Sequence, residues 1–493
     1  MYLKNALRGT FVVFMLSLLG GLFGYLMRMF LARKLTVAEF GLFYSVITVF
    51  MFISYFIDAG MSYSLSRKIT ELNIKKKNSI INNLVMSVAG IQFIVTIVLG
   101  VLIILLNNFL SVHYFHANAS YLLFLGVAWI LFMPILTSYT GIFFGFQKPT
   151  YAIFFETTKS FLLLVFSFIF IFLGYNYLSP AIAYVATNVL LMLLFYLLVK
   201  KVYSGFSIFR FKFEKKSTMQ ILSFGWVVGL SNFIWLIILQ IDTLLITYYM
   251  GATSVGIYQI AITIAYLLLY ITTAVTTILY PLINELHFRK KRTIIIEGMN
   301  LVYKYLLIFL IPSVIIIFSF PDILINLLFT SKYLGAVMPL RILAIFTIFC
   351  SITLINNVLI TSLGKPSRVV KIMLMVAILN FVLNLITIPY FGLLGAACST
   401  LFSFIFATII SSYELKKYIQ VHFPLKEWLL LTLMSLAIIL EANYLINIIK
   451  LSALVKLGVI TSIIIVSYLL LLFLFRIVTL FEIKNFVNMF LKR

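Results

Sequence analysis

The chain is expected to be an all-α polytopic membrane protein with about 14 transmembrane helices. Three observations predict this. Hydrophobic residues make up 63% of its 493 residues and charged residues only 10%, whereas soluble domains carry ~25% charged residues. Apolar runs recur at the length that crosses ~30 Å of hydrocarbon as a helix. Basic residues concentrate in alternate loops between those runs. A membrane β-barrel would show short alternating segments instead.

Taken in order, the first apolar run (11–32) follows Lys4 and Arg8 and leads directly into the second (40–62). It is therefore expected to be a retained helix, not a cleaved signal peptide. The basic stretch from Arg67 to Lys77 separates the second from the third (80–106), and an outer loop with His113 and His116 leads to the fourth (119–143). The fifth (152–173) starts after Lys148, and the sixth (178–199) ends at Lys200. Runs at 219–247, 255–281, 299–320, 336–360, 369–388 and 393–413 follow, and then a last pair at 427–447 and 455–475.

The net charge of +24 is explained by topology. With the N-terminus placed inside, 28 of the 37 Lys and Arg residues fall on one side, five on the other and four within spans. This is the positive-inside bias, and with an even number of spans it places both termini in the cytoplasm. The excess charge then meets anionic lipid, and no nucleic-acid partner is expected. Cys350 and Cys398 both lie in spans, so neither a disulfide framework nor a metal cluster is expected.

The chain contains one segment twice. Glu39-Phe40-Gly41-Leu42-Phe43-Tyr44 is echoed 215 positions later by Ser254-Val255-Gly256-Ile257-Tyr258-Gln259. Gly145-Phe146-Gln147-Lys148-Pro149-Thr150 is echoed by Ser362-Leu363-Gly364-Lys365-Pro366-Ser367, offset 217. Two matches at nearly one spacing predict a duplicated six-helix unit, a plan common among transporters. The expected divisions are a first lobe at 1–202, a cytoplasmic linker at 203–217, a second lobe at 218–418, and two further helices with a cytoplasmic tail at 419–493. In the linker, Phe209-Arg210-Phe211-Lys212-Phe213 alternates aromatic and cation, which suits an interfacial segment or a basic loop alone.

Polar stripes cross both copies. Tyr44, Thr48, Met51, Tyr55, Asp58 and Ser62 share one face of the second span. Gln259, Thr263, Tyr266, Tyr270, Thr273 and Thr277 repeat the same steps in the eighth. In lipid such a face needs a protein partner or water, so the stripes line a hydrated cavity or bond helix to helix.

On the first span, Ser17, Gly21, Gly24 and Arg28 share a face; the small residues there are expected to let a neighbouring helix approach closely. A charge at mid-membrane costs ~2.5–3.5 kcal/mol on insertion scales. Arg28 therefore either snorkels toward Arg33 and Lys34 or presents a cation to an anionic substrate. Asn232, Trp235, Leu239 and Asp242 share a face of the seventh span, and Asp242 is a candidate partner for Arg28. Glu156 and Lys159 are either an i, i+3 ion pair or a proton-sensitive acid beside a phosphate-contacting amine. Lys304 and Arg341 lie near span ends and are expected to snorkel, and His113 and His116 belong to an aromatic belt. No phosphate-cradling loop, acid pair, zinc motif or nucleophile elbow stands out, so catalytic and metal sites are not expected and the chain is not read as an enzyme.

Three segments carry a family resemblance. Residues 31–67, from Leu31-Ala32-Arg33 through Glu39-Phe40-Gly41 to Asp58-Ala59-Gly60 and Arg67, resemble the start of polysaccharide-precursor flippases of the Wzx type. These belong to the multidrug/oligosaccharidyl-lipid/polysaccharide exporter superfamily. Ile241-Asp242-Thr243, Gly251-Ala252, Val255-Gly256-Ile257-Tyr258 and Tyr280-Pro281 are similar to its second-half signature. Leu363-Gly364-Lys365-Pro366, Asn380, Asn384, Ile388-Pro389 and Phe391-Gly392-Leu393-Leu394-Gly395 give a third match.

The resemblance implies two six-helix lobes around a central cavity and alternating access. It implies a polyprenyl-pyrophosphate-linked oligosaccharide as cargo, moved from the inner to the outer leaflet of the cytoplasmic membrane for surface polysaccharide biosynthesis of the O-antigen kind, with a glycan polymerase or ligase as further partner. Arg28 lies where first-helix cations occur in these flippases. Fourteen spans match the lipid II branch, whereas many sugar-polymer flippases have twelve. The candidate cavity residues are Arg28, Tyr55, Asp58, Glu156, Lys159, Asn232, Asp242, Gln259, Tyr266 and Tyr270. The carboxylates leave H⁺ and Na⁺ as candidate coupling ions, with no other cofactor expected. A cation-coupled multidrug exporter of the same fold is the alternative reading.

Overall fold

The computed structural model describes residues 2–208, 212–419, 425–448, 453–475 and 477. The start of the aromatic and cationic stretch, 209–211, and the basic C-terminal tail lie outside these residues. The first helices are α1 (Tyr2–Lys34), α2 (Val37–Asp58), α3 (Met61–Ile74), α4 (Asn78–Leu105) and the short α5 (Asn107–Phe109). Next come α6 (Ser120–Ile130), α7 (Met133–Gly145), α8 (Pro149–Phe172), α9 (Ser179–Val202), α10 (Lys215–Leu267) and α11 (Leu269–Phe288). The remainder are α12 (Arg292–Ser319), α13 (Pro321–Leu328), α14 (Val337–Ser362), α15 (Pro366–Lys416), α16 (Leu425–Ile448) and α17 (Ala453–Leu474). No strand occurs among the described residues.

Twelve helical stretches are long and apolar enough to cross a membrane, and two of them run for 51 residues. A straight helix of that length would reach roughly 75 Å, more than twice the hydrocarbon core. Gly251 (φ 75°, ψ −179°) interrupts the first of these, and Gly392 (φ 58°, ψ −133°) the second. Both dihedral pairs lie in regions open to glycine. Across Gly251 the chain folds back on itself. Tyr258 Oη donates to Asp242 Oδ2 at 2.7 Å, and Gln259 Nε2 donates to Thr243 Oγ1 at 3.0 Å. The first long stretch is therefore a helical hairpin and the second is interrupted in the same way, which agrees with the all-α membrane fold of about fourteen spans expected.

Three expected spans have internal breaks. The run 119–143 is divided between α6 and α7, because Pro134 in the first turn of α7 lacks the N–H to continue α6. The run 40–62 ends at Asp58, where Ala59 (φ 42°) and Gly60 (φ 73°) redirect the chain into α3. The eighth span breaks at Leu268, whose N–H bonds back only three residues, to Ala265 O at 3.1 Å. No helix-breaking residue marks that last position.

The sequence echo at 145–150 and 362–367 is one turn built twice. Gln147 N bonds Phe144 O at 3.0 Å and Lys148 N bonds Phe143 O at 2.8 Å. Gly364 N bonds Thr361 O at 3.0 Å and Lys365 N bonds Ile360 O at 3.1 Å. Gln147 and Gly364 both have positive φ, and a proline then opens the next helix in each copy. These are Schellman closures, which satisfy the last carbonyls of α7 and α14. A third pair is hidden in unlike sequence. Lys76 and Lys290 are left-handed, and the same two bonds form at Asn73 and Leu72 and at His287 and Leu286.

The other echo marks a helix crossing. Thr36 and Glu39 form a capping box that starts α2. Two residues later Gly41 meets the α10 backbone: a Cβ there would collide with the Ala252 carbonyl oxygen and lie 2.6 Å from Gly256 N. A Cβ on Gly256 would in turn collide with Val37 O. The two repeated glycines thus face each other.

The chain forms two compact units, Met1–Gln259 with Phe381–Leu393, and Ile260–Asn380 with Leu394–Arg493. In the first, α3, α4, α7, α8 and α9 share a core around Leu65, Tyr139, Phe143 and Phe195. In the second, α16 and α17 pack on α12 around Leu431, Ile438, Ile464 and Tyr468. Tyr468 Oη donates to Ile308 O at 3.1 Å, and Ser467 Oγ donates to Glu441 at 2.8 Å. Arg341 Nε donates to Phe318 O at 3.1 Å, satisfying a carbonyl at the end of α12.

Candidate functional site

Within the first unit, five helices enclose a cavity of about 160 Å³. Its shape starts with α1 lying on α8. Gly20 comes close to Thr157, whose hydroxyl donates to Leu16 O at 2.8 Å. An edge contact of Phe23 with Phe161 (5.2 Å) and a tilted contact of Phe30 with Phe168 (5.1 Å) extend the seam. This arrangement corrects the expected use of the small residues. Gly20 makes the close approach, while Gly24 has no atom within 4 Å of an added Cβ and lines the cavity.

One turn beyond Gly24, Arg28 also lines the cavity, and its guanidinium carbon lies 5.5 Å from the centre of the Tyr44 ring. Such a cation–π contact holds the charge against the ring. From α2 come Tyr44, Thr48 and Met51, from α9 Tyr184, and from the two arms of α10 Gln240 and Gln259. Thr48 donates to Tyr44 O at 2.8 Å and lies 3.5 Å from Gln240 Oε1. Tyr184 is braced edge-on against Trp129 at 5.2 Å. The site offers one cation, two amides and hydroxyl groups at membrane depth. That suits a phosphate-bearing or hydroxyl-rich ligand. The volume is below the ~300–1,000 Å³ of drug-sized pockets, so this conformation admits waters or a phosphate-sized group.

A second polar centre adjoins it through Gln259. Asp242 is buried, accepting from Tyr258 as described and from Asn384 Nδ2 at 2.7 Å. Neutral donors thus reach both oxygens. The other side-chain atom of that amide, Asn384 Oδ1, is buried with no hydrogen-bond partner, as are both side-chain polar atoms of Asn380 one turn earlier on α15. An orphaned acceptor on the amide that holds a buried acid is unusual.

Of the expected residues, Arg28 and Gln259 share the cavity and Asp242 adjoins it. Asp58 instead joins a chain of bonds. Ser62 donates to it from both its hydroxyl and its backbone N–H, Gln92 donates at 3.1 Å, and Thr137 donates to Gln92 at 3.0 Å. Lys159 and Glu156 form an i, i+3 ion pair at 3.9 Å on α8. Tyr55 and Tyr270 are exposed, as is Asn232, and none of the three lines the cavity. Tyr266 packs against Phe346 at 6.0 Å. The eighth-span stripe thus divides: Gln259 and Thr263 are buried, whereas Thr273 and Thr277 are exposed. His116 Nε2 lies 3.1 Å from Tyr248 O, and His113 stacks on Phe109.

Ser160, Tyr184 and Gln240 line the cavity without having been expected there. Gln240 lies off the face shared by Asn232 and Asp242, so no periodic signal marks it, whereas Tyr184 shares a helical face with Thr187 and Asn188, a short polar pattern that could have pointed to it. Tyr258 and Asn384 are visible only as parts of motifs.

Gly24 supplies a direct test that the cavity is used. Gly24→Leu should fill it, lowering transport about tenfold while changing the melting midpoint little, because a Cβ there meets open space and the rest of the side chain enters the cavity that Gly24 lines. Parallel transport and melting measurements check this.

This architecture is that of polytopic flippases and exporters. The lipid II flippase MurJ in its inward closed conformation superposes with a TM-score of 0.77, at 16% identity, covering 95% of this chain and 98% of that one. An inward-facing MATE family multidrug transporter of the MOP superfamily gives 0.62 at 17% identity, covering 83% and 98%. The chain belongs to the family described as polysaccharide biosynthesis protein, whose model matches residues 6–287. An uncharacterized membrane protein of Methanocaldococcus jannaschii is 24% identical over the full length of both chains. A Haloferax volcanii protein named probable flippase AglR is 29% identical, over 40% of this chain and 41% of its own length.

Proposed function

We propose that the chain is a flippase for a polyprenyl-pyrophosphate-linked oligosaccharide, moved from the inner to the outer leaflet of the cytoplasmic membrane by alternating access. The observation that carries this reading is Arg28, a cation at membrane depth in a cavity otherwise walled by amides, hydroxyls and aromatic rings. A pyrophosphate needs such a cation, and sugar hydroxyls pair with Gln240, Gln259 and Thr48. The polyprenol stays in lipid. Membership of the polysaccharide family supports the glycan, and the name of the Haloferax relative supports flipping. The bias of the basic loops supports cytoplasmic termini, and the flipped glycolipid would pass to a glycan polymerase or ligase. Translocation of a fluorescent polyprenyl-pyrophosphate oligosaccharide by reconstituted protein tests this. Transport of lipophilic cations in its place would establish the exporter alternative.

Coupling is assigned to Asp242. Its carboxylate and the orphaned Asn384 Oδ1 are hard oxygen donors that suit Na⁺, and the carboxylate alone suits H⁺. Inward movement of one charge gains ~2.3 kcal/mol per 100 mV. Asp242→Asn keeps the shape and removes the charge. It should abolish acceleration by an imposed H⁺ or Na⁺ gradient, about tenfold, while gradient-free exchange persists. Rates measured with each gradient separately identify the ion, and acceleration equal to wild type in both would remove Asp242 from the role.

A further inference from the structure

A second cavity lies where α3 meets the start of α10. It measures about 170 Å³ and is lined by Ser64, Arg67, Lys68 and Glu71 from α3 and by Gln220 and Phe224 among the residues from α10. It shares no lining residue with the Arg28 cavity. The orientation proposed above puts it at the cytoplasmic edge of the membrane.

The amphipathic pattern of α3 explains its position. Met61, Leu65, Ile69 and Leu72 are buried and join the core of the unit, which turns Arg67 and Glu71 the other way and leaves Lys68 at the edge of the buried face. Within the cavity the charges are unequally matched. Glu71 meets Lys68 at 2.9 Å and Lys75 at 2.6 Å. Arg67 has no ion pair among the described residues. Its guanidinium carbon lies 4.5 Å over the Phe224 ring, a cation–π contact that holds the group against α10. A planar fork of N–H donors suits phosphate oxygens, and the Gln220 amide supplies another donor nearby.

The surroundings point to the kind of phosphate. Phe224 is exposed, as are Tyr63 and Ile74, which share the Arg67 face of α3, Tyr63 by 62%. A cationic cavity beside exposed aromatic and aliphatic side chains matches an amphiphile whose head is a phosphate and whose tail is hydrocarbon. Soluble phosphate would need no such apolar border.

We infer that this cavity is a docking subsite for a lipid-borne phosphate, occupied by the pyrophosphate of the polyprenyl-linked cargo in the inner leaflet before it reaches Arg28. The inference rests on the flippase reading for the cargo, and on the cavity itself for the phosphate. Arg67 provides the charge, Phe224 packs on it, and the exposed Tyr63, Ile74 and Phe224 side chains meet the first part of the polyprenyl chain. The glycan then projects into the cytoplasm, where size is unrestricted.

The test uses the full chain in phosphatidylcholine nanodiscs and a fluorescent short-chain polyprenyl pyrophosphate as probe. An Arg28→Gln background removes the other cation, so remaining binding reports this subsite. Adding Arg67→Gln should weaken that binding about tenfold, and Arg67→Lys should fall between, since lysine keeps the charge but loses the fork. Phe224→Leu, which frees the guanidinium, should weaken it to a smaller extent and carries the test if Arg67→Gln lowers the melting midpoint. Unchanged affinity in both Arg67→Gln and Phe224→Leu overturns the inference. So does full displacement by an equal amount of phosphatidylglycerol, which would make this a site for bulk anionic lipid, or by inorganic pyrophosphate at the same concentration, which would remove the lipid component. Failure of the flippase reading looks different: the wild type binds the probe through Arg67 yet moves no glycolipid in proteoliposomes.

Discussion

Replacing Arg28 by alanine is expected to slow glycolipid translocation by about 100-fold, the effect of leaving a desolvated charge without its partner. The cargo would bring a pyrophosphate into a cavity at membrane depth where Arg28 is the cation among the lining residues. Without it, the amides of Gln240 and Gln259 and the hydroxyls of Thr48, Tyr44 and Tyr184 would have to solvate that charge alone. They suit sugar better than phosphate. Arg28→Lys should recover part of the rate, since a lysine supplies charge without the bidentate fork. Folding should change little, because the side chain is only partly buried and its contact with Tyr44 contributes about 1 kcal/mol. The check is a proteoliposome flipping assay on all three proteins, with melting curves beside it. A wild type that flips and an alanine variant that matches it would reduce Arg28 to an anchor and leave the pyrophosphate to be read elsewhere.

Much of this site was legible because membrane burial makes polar residues conspicuous. Arg28 and Asp242 stand out in apolar runs, and a residue of either kind needs a reason to be there. Gln259 was legible because the repeat placed it on a stripe matching Tyr44. What periodicity could not supply was the direction each face takes after a bend. The eighth span breaks at Leu268 without a proline or glycine, so Tyr270, Thr273 and Thr277 turn away from the face that buries Gln259 and Thr263. Tyr55 shares its helical face with Tyr44, yet near the redirection at Ala59 and Gly60 it is open. Glu156 and Lys159 show the local rule prevailing: an i, i+3 pair needs no tertiary structure to form. The span count was legible because glycine is the residue that permits the dihedrals seen at Gly251 and Gly392. The pairing of Gly41 with Gly256 was not. Sequence shows that a motif is repeated, but the copies met only once the fold brought their backbones together.

That meeting sets the second large effect. Gly41→Ala adds one methyl group, and helix propensity alone would favour alanine by ~1 kcal/mol. Here the methyl group would collide with the Ala252 carbonyl oxygen and stand 2.6 Å from Gly256 N. Both obstacles are backbone, so no rotamer change relieves them, and α2 must move away from the arm of α10 that follows Gly251. Overpacking of this kind costs about 3 kcal/mol, and the melting midpoint should fall by several degrees. Gly256→Ala should do the same from the opposite side, where Val37 O blocks it. Gly24→Ala makes the same chemical change on a helix where nothing lies within 4 Å, and it should be neutral or slightly stabilising. Thermal unfolding of the three variants in one detergent separates backbone contact from glycine's intrinsic effect. Equal midpoints would mean that the crossing yields freely. A loss at Gly41 and Gly256 but not at Gly24 would mean that the repeated motif exists to let two equivalent helices touch beside the cavity they share.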